Sequence, residues 1–138
     1  GVPVMPKYSI ASAPIEAIME LQNHKGCDAI CVSNTLPYGW EYVGEVVWGK
    51  KESPLKKIGG GGISGRILRP LVGRWISDLR RAGFHKPING GGGILHAEDV
   101  DFYRRSGASS VFIGSVATLR PWRVEGIIKE ANSLKWEE

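Results

Sequence analysis

The chain has 138 residues, 42% of them hydrophobic and 23% charged, which leaves room for one ordinary domain and excludes a disordered tail or a membrane-embedded body. Eighteen Lys and Arg against 14 Asp and Glu give a net charge of +4, which suits an anionic ligand but lacks the basic stripe of a nucleic-acid footprint. There is no run of 18 apolar residues and no basic patch leading into an apolar segment, so neither a spanning helix nor a secretory signal is expected, and a reducing, cytoplasmic setting is.

Four times along the chain a short apolar, β-prone run passes through a polar or glycine-bearing turn into a helical pattern. The first run, Val2 to Met5, ends at Lys7-Tyr8-Ser9; Ser12 is placed to cap a helix bearing Ile15, Ile18, Met19 and Leu21, which Gly26 closes. The second, Ala29 to Val32, ends in Ser33-Asn34-Thr35 and is followed by a long irregular loop to Ile58. Gly59 to Gly65 then opens a helix with Leu71, Val72, Trp75, Ile76 and Leu79 on one face and solvated Arg74, Arg80 and Arg81 on the other, stopped by Gly83. Pro87-Ile88-Asn89 runs at once into Gly90 to Gly93, with a helix over Glu98 to Arg105. The last run, Ser110 to Ile113, meets Gly114-Ser115, and a helix from about Trp122 to Leu134 ends the pattern. Such alternation predicts an α/β fold with a parallel sheet covered by helices. Cys27 and Cys31 sit in or beside an apolar run with no metal-ligand spacing around them, and read as buried, reduced thiols.

In parallel βα proteins ligands gather at the carboxyl ends of the strands. There this chain carries a cation (Lys7), an amide between hydroxyls (Ser33, Asn34, Thr35) and two glycine turns (Gly91, Gly92 and Gly93; Gly114 and Ser115). Glycines after a strand let backbone N–H groups approach an anion, and two such turns side by side make a phosphate cup; the same glycines also serve plain tight βα packing. Lys7 is either a stabiliser of negative charge on a ligand or a solvated rim lysine. Asn34 is either a reader of a planar amide edge or a turn residue.

Taken together and in order, Lys7 in Val-Met-Pro-Lys-Tyr-Ser, the run Cys31 to Thr35, the run Gly61 to Gly65 with Leu68 and Pro70, the run Gly90 to Ile94, and Gly107 to Ser115 resemble the C-terminal half of the dihydroorotate dehydrogenase family. The resemblance spans nearly the whole chain. It implies an FMN-containing (β/α)₈ enzyme that oxidises dihydroorotate, or a related dihydropyrimidine, to orotate in pyrimidine biosynthesis. The chain would then be a single domain over residues 1–138, about four of the eight units of a TIM-type barrel, a half barrel. By the resemblance Lys7 contacts the flavin ring, Ser33, Asn34 and Thr35 lie against flavin and substrate with Asn34 reading the pyrimidine edge, Ser64 and Gly65 touch the flavin, and Gly91, Gly92, Gly93, Gly114 and Ser115 hold its phosphate.

The family's catalytic base is a Cys or Ser on a loop upstream of the lysine, and only six residues precede Lys7, so no position corresponds to it and the chain is expected to be partial. Half a barrel exposes strand edges, which implies pairing with the missing N-terminal half or with a second copy. The partners expected are therefore a small pyrimidine substrate and another protein segment, with neither nucleic acid nor membrane. Two other readings stay open: a phosphate-binding barrel enzyme without flavin, and a non-catalytic half barrel that binds a phosphorylated ligand.

Overall fold

The computed structural model describes residues 1–136. Four parallel strands form one sheet in the order β1 (Lys7–Tyr8), β2 (Ile30–Val32), β5 (Ile88–Gly91), β6 (Ser110–Phe112), with β1 and β6 outermost. Helices α1 (Ile15–Met19), α3 (Leu68–Arg81), α4 (Glu98–Arg105), α5 (Ser115–Leu119) and α6 (Val124–Ser133) alternate with them. The architecture is thus parallel α/β, as the alternation predicts. Between β2 and α3 a separate antiparallel pair, β3 (Leu36–Pro37) and β4 (Gly62–Ile63), closes the long connection, which also carries α2 (Val43–Trp48).

Register decides which face is core. Ile30 pairs with Ile88, and Val32 with Gly90 and then Val111, so these side chains share one face of the pleat. That face is fully buried at Ile30, Val32 and Ile88 beneath Leu68, Val72, Ile76 and Leu79 of α3 and Val100 and Tyr103 of α4. The other face carries the row Lys7, Cys31, Asn89 and Ser110. Buried apolar area at about 25 cal/mol per Å² makes the helix side the stabilising side, with the polar row on the opposite face.

Several expectations are corrected. The first strand is Lys7–Tyr8, not Val2 to Met5, because Val4 is fixed to Asp28, through its amide to the carboxylate and its carbonyl to the Asp28 amide, outside any ladder. Ser12 does not cap α1: Pro14 holds the cap position, and the Ser12 hydroxyl donates to Ser9 O at 3.4 Å. The stretch from Thr35 to Ile58 is not one irregular loop, since it contains β3 and α2. Tyr38 packs on Trp48 with ring centroids 5.8 Å apart and donates from its hydroxyl to Lys50 O, so these aromatics pin the segment to itself. The C-terminal helix starts at Val124, after a 3₁₀ turn over Pro121–Arg123, and α5 is an additional short helix.

Arg80 is also corrected. It is half-buried, not solvated, and donates to Gly107 O, Phe84 O, Lys86 O and Ser109 Oγ at 2.7–3.2 Å, stitching the end of α3 to the start of β6. Gly83 does end α3: its N–H reaches Arg80 O and that of Phe84 reaches Leu79 O, which satisfies the last carbonyls, with Phe84 buried beside Leu79. Cys27 and Cys31 are both free and buried. Among the described residues no helix is long and apolar enough to cross a membrane, and no group of His, Cys, Asp or Glu is placed to hold a metal ion.

Candidate functional site

One cleft opens at the carboxyl ends of the four parallel strands. Lys7 from β1, Asn34 and Thr35 after β2, Gly92 and Gly93 after β5, and Gly114 and Ser115 after β6 all line it. Ser64 and Gly65 enter from the turn after β4, and Ser33 contributes from beneath. Parallel pairing places four strand ends side by side, so residues separated by up to about a hundred positions in sequence meet without any long-range side-chain pairing. Gly92 and Gly114 face the same cavity.

Gly91, grouped with its neighbours in the sequence, stays out of the cleft. It pairs with Phe112, and a Cβ built on it would stand 2.6 Å from that ring, so its missing side chain makes room for Phe112. Phe112 itself lines the cleft, as do Leu68, Ile94 and Leu95, giving it an apolar floor that the strand-end pattern did not identify.

Each polar residue has a distinct local setting. Ser33 is buried with its hydroxyl committed, accepting from Ile10 N–H and donating to Asn34 O at 2.7 Å, so it shapes the turn and has little left for a ligand. Asn34 is fixed by its backbone, whose N–H donates to Tyr8 O, and its side chain is exposed. Thr35 and Asn34 also line a second cleft with Ser9, Ser12 and Gly62, so these two residues form the partition between two adjoining spaces. Lys7 presents its ammonium to the first cleft, 4.3 Å from the centre of the Phe112 ring. Cys31, its partner in the sheet, is held above the ordinary thiol range by burial, with the Lys7 charge pulling the other way.

The glycine turn after β5 is the most constrained part. Gly92 and Gly93 have φ of +126° and +72°, and a Cβ on Gly93 would meet Gly65 O at 2.5 Å, so only glycine lets the two turns close against each other. At Gly65 and Gly114 a Cβ would meet nothing within 4 Å, which leaves those backbone edges bare. This is a cradle of main chain in which a multiply charged oxygen group fits: small residues, helix starts behind them, and one ammonium nearby. FMN, through its phosphate, has that chemistry, and the apolar floor with the Lys7 ammonium suits a flat ring carrying negative charge at one edge.

Comparison with known proteins follows the same outline. The family model described as dihydroorotate dehydrogenase matches residues 1–134. The catalytic subunit of dihydroorotate dehydrogenase B (NAD(+)) of Anoxybacillus flavithermus is 35% identical over 133 residues, covering 96% of this chain and 40% of that protein. Its counterpart in Geobacillus kaustophilus is 33% identical over 134 residues, covering 97% and 41%. Among solved structures, dihydroorotate dehydrogenase of Eimeria tenella in complex with ferulenol superposes with a TM-score of 0.67 at 23% identity, over 93% of this chain and 33% of that one. The chain therefore spans about two fifths of the curated relatives it matches, and with a family model covering all but its last few residues it belongs to the dihydroorotate dehydrogenase family.

Proposed function

We propose that this chain is the flavin-holding C-terminal half of a dihydroorotate dehydrogenase-type barrel, which oxidises dihydroorotate or a related dihydropyrimidine to orotate in the cytoplasm. The observation that carries this reading is the single cleft that joins Lys7 to two bare glycine turns, with Asn34 and Thr35 shared by a second cleft beside it. When bound, FMN supplies the hydride-accepting ring. The backbone of Gly92, Gly93, Gly114 and Ser115 holds the phosphate, and Lys7 stabilises negative charge at the ring edge. Asn34 offers an amide that both donates and accepts, which matches a pyrimidine edge, from its place between the two spaces. Ser64 and Gly65 close the cleft from the β4 side.

Oxidation removes a hydride from one substrate carbon and a proton from its neighbour. We assign the role of proton acceptor to none of the described residues. The outer strands β1 and β6 are where further strands would pair, so the working unit includes either the N-terminal half of the barrel or a second copy.

The test is the visible spectrum of the protein together with its N-terminal half. Flavin absorbance that bleaches on anaerobic addition of dihydroorotate supports the reading. A colourless protein that instead binds simple sugar phosphates would replace it with a flavin-free phosphate-binding barrel.

A further inference from the structure

Gly92 and Gly93, which open the turn lining the cleft, have no side chains with which to hold it. Tyr103, on α4 and fully buried, donates from its hydroxyl to Gly92 O at 2.6 Å, reaching back across 11 positions. Asp99, one turn earlier on the same helix and 4% exposed, accepts from the N–H of Leu95 at 2.8 Å and of His96 at 3.1 Å through one carboxylate oxygen. Its other oxygen is ion-paired with Arg69 of α3, whose guanidinium lies over the Phe102 ring. The turn from Gly92 to His96 is thus gripped at its start by a phenol and at its end by a carboxylate, both from α4, and α4 is locked to α3 by Arg69.

We propose that Tyr103 and Asp99 are positioning residues that hold the Gly92–His96 turn in the shape that receives the ligand's phosphate. The inference rests on the phosphate-cup reading above and extends it to two residues outside the cleft.

The start of the turn, with Gly92 and Gly93 successively at positive φ and bringing no side chains to pack, samples many conformations unless tied elsewhere. A buried phenol lacking its carbonyl partner, or the carbonyl lacking the phenol, carries the cost of an unmade hydrogen bond, so the pair is strongly held. Burial keeps the Tyr103 phenol protonated well beyond neutral pH, with the Arg69 charge opposing, so it remains a donor. Asp99 takes up the Leu95 and His96 amides, so they are not offered to the cleft. The Gly92 and Gly93 main chain is left to face it.

The test uses Tyr103→Phe, which keeps the ring and removes only the hydroxyl, and Asp99→Asn, which keeps an oxygen acceptor for the Leu95 and His96 amides but loses the charge that pairs with Arg69. In the unliganded protein, amide hydrogen exchange over residues 92–96 should speed up about tenfold in Tyr103→Phe, with exchange in α3 unchanged. Equal exchange rates in variant and wild type would overturn the proposal, whatever flavin does. In flavin titrations followed by fluorescence, Tyr103→Phe should weaken FMN about tenfold and riboflavin less than twofold, because only FMN carries the phosphate; Asp99→Asn should fall between wild type and Tyr103→Phe. Equal weakening of both flavins would show general unfolding of the site and also overturn it. If wild type itself binds FMN and riboflavin alike, the phosphate-cup reading fails, and the exchange experiment still decides whether Tyr103 and Asp99 hold the turn.

Discussion

The ammonium of Lys7 sits 4.3 Å above the ring of Phe112, although the two residues occupy the outermost strands of the four-stranded sheet, β1 and β6. The contact crosses the open face above Cys31 and Gly91 and ties the two edges together. A cation over an aromatic face is worth about 0.5–1 kcal/mol at an accessible site. That is small for the fold but enough to bias where a flexible lysine puts its charge.

Lys7→Ala in the intact enzyme is expected to slow flavin reduction about 10²–10³-fold, the usual loss when one preorganised stabiliser of developing charge is removed. The melting temperature should barely move, since Lys7 is exposed. Stopped-flow reduction by dihydroorotate measures the first and calorimetry the second. Unchanged reduction kinetics would remove Lys7 from the site.

Glycine substitutions should separate two kinds of damage. Gly114→Val adds a branched side chain where a Cβ meets nothing within 4 Å, so it should weaken FMN retention with little loss of stability. Gly93→Ala forces a side chain into left-handed backbone and against Gly65 O at 2.5 Å, and should cost about 2 kcal/mol or more of stability as well. Gly92→Val belongs with Gly93→Ala, because its Cβ would press on Leu68 at 3.2 Å. Flavin content alongside urea denaturation distinguishes them; full flavin occupancy in Gly114→Val would contradict the cup.

Stability should fall at alkaline pH. Burial raises the pKa of both Cys31 and Tyr103 in the folded state, so above the ordinary thiol range near 8.5 the unfolded chain loses protons that the folded chain retains. The unfolded state is then favoured as pH rises, and the stabilisation relative to neutral pH is lost progressively. Cys31→Ala should flatten the first part of that decline and leave the later part, set by Tyr103. Urea midpoints measured from pH 7 to 10 check this, and a Cys31→Ala profile parallel to wild type would refute the role of the thiol.

Arg80→Met should destabilise by about 3 kcal/mol, because the carbonyls of Phe84, Lys86 and Gly107 lose a charged donor in a half-buried setting. Arg74→Met, at an exposed position on the same helix, should change stability by less than about 0.5 kcal/mol. Equal effects for the two arginines in chemical denaturation would show that the Arg80 bonds carry no net stability.

What could be read from the sequence followed from periodicity and strand ends. The apolar spacing of Val72, Ile76 and Leu79 and the bounds Glu98–Arg105 agree with α3 and α4, because long amphipathic helices record their buried face in local order. Lys7, Asn34, Thr35, Gly92, Gly93, Gly114 and Ser115, which meet in the cleft, were legible for a similar reason: in a parallel sheet every strand end arrives at the same side, whereas Ser64 and Gly65 came only with the family resemblance and the apolar floor was not foreseen. What escaped is set by contacts between distant positions. Arg80 reads as a surface arginine until Gly107 and Lys86 are seen beside it, and Tyr103 reads as a core aromatic until its hydroxyl is found on Gly92. Ser12 has the chemistry of a cap, but Pro14 sits two residues nearer the first helical turn and its fixed φ suits that position. The connection after Thr35 was unreadable because Glu41 and Tyr42 adopt left-handed backbone without being glycine, held by the surrounding segment.

In the proposed function the turns after β5 and β6 jointly hold the phosphate of FMN. The most direct measurement is an amide chemical-shift titration with FMN and with riboflavin. The Gly93, Gly114 and Ser115 amides should shift with FMN and far less with riboflavin, while Gly83 and Gly107, outside the cleft, stay still. Shifts at Gly83 and Gly107 with none at Gly93 and Gly114 would contradict it.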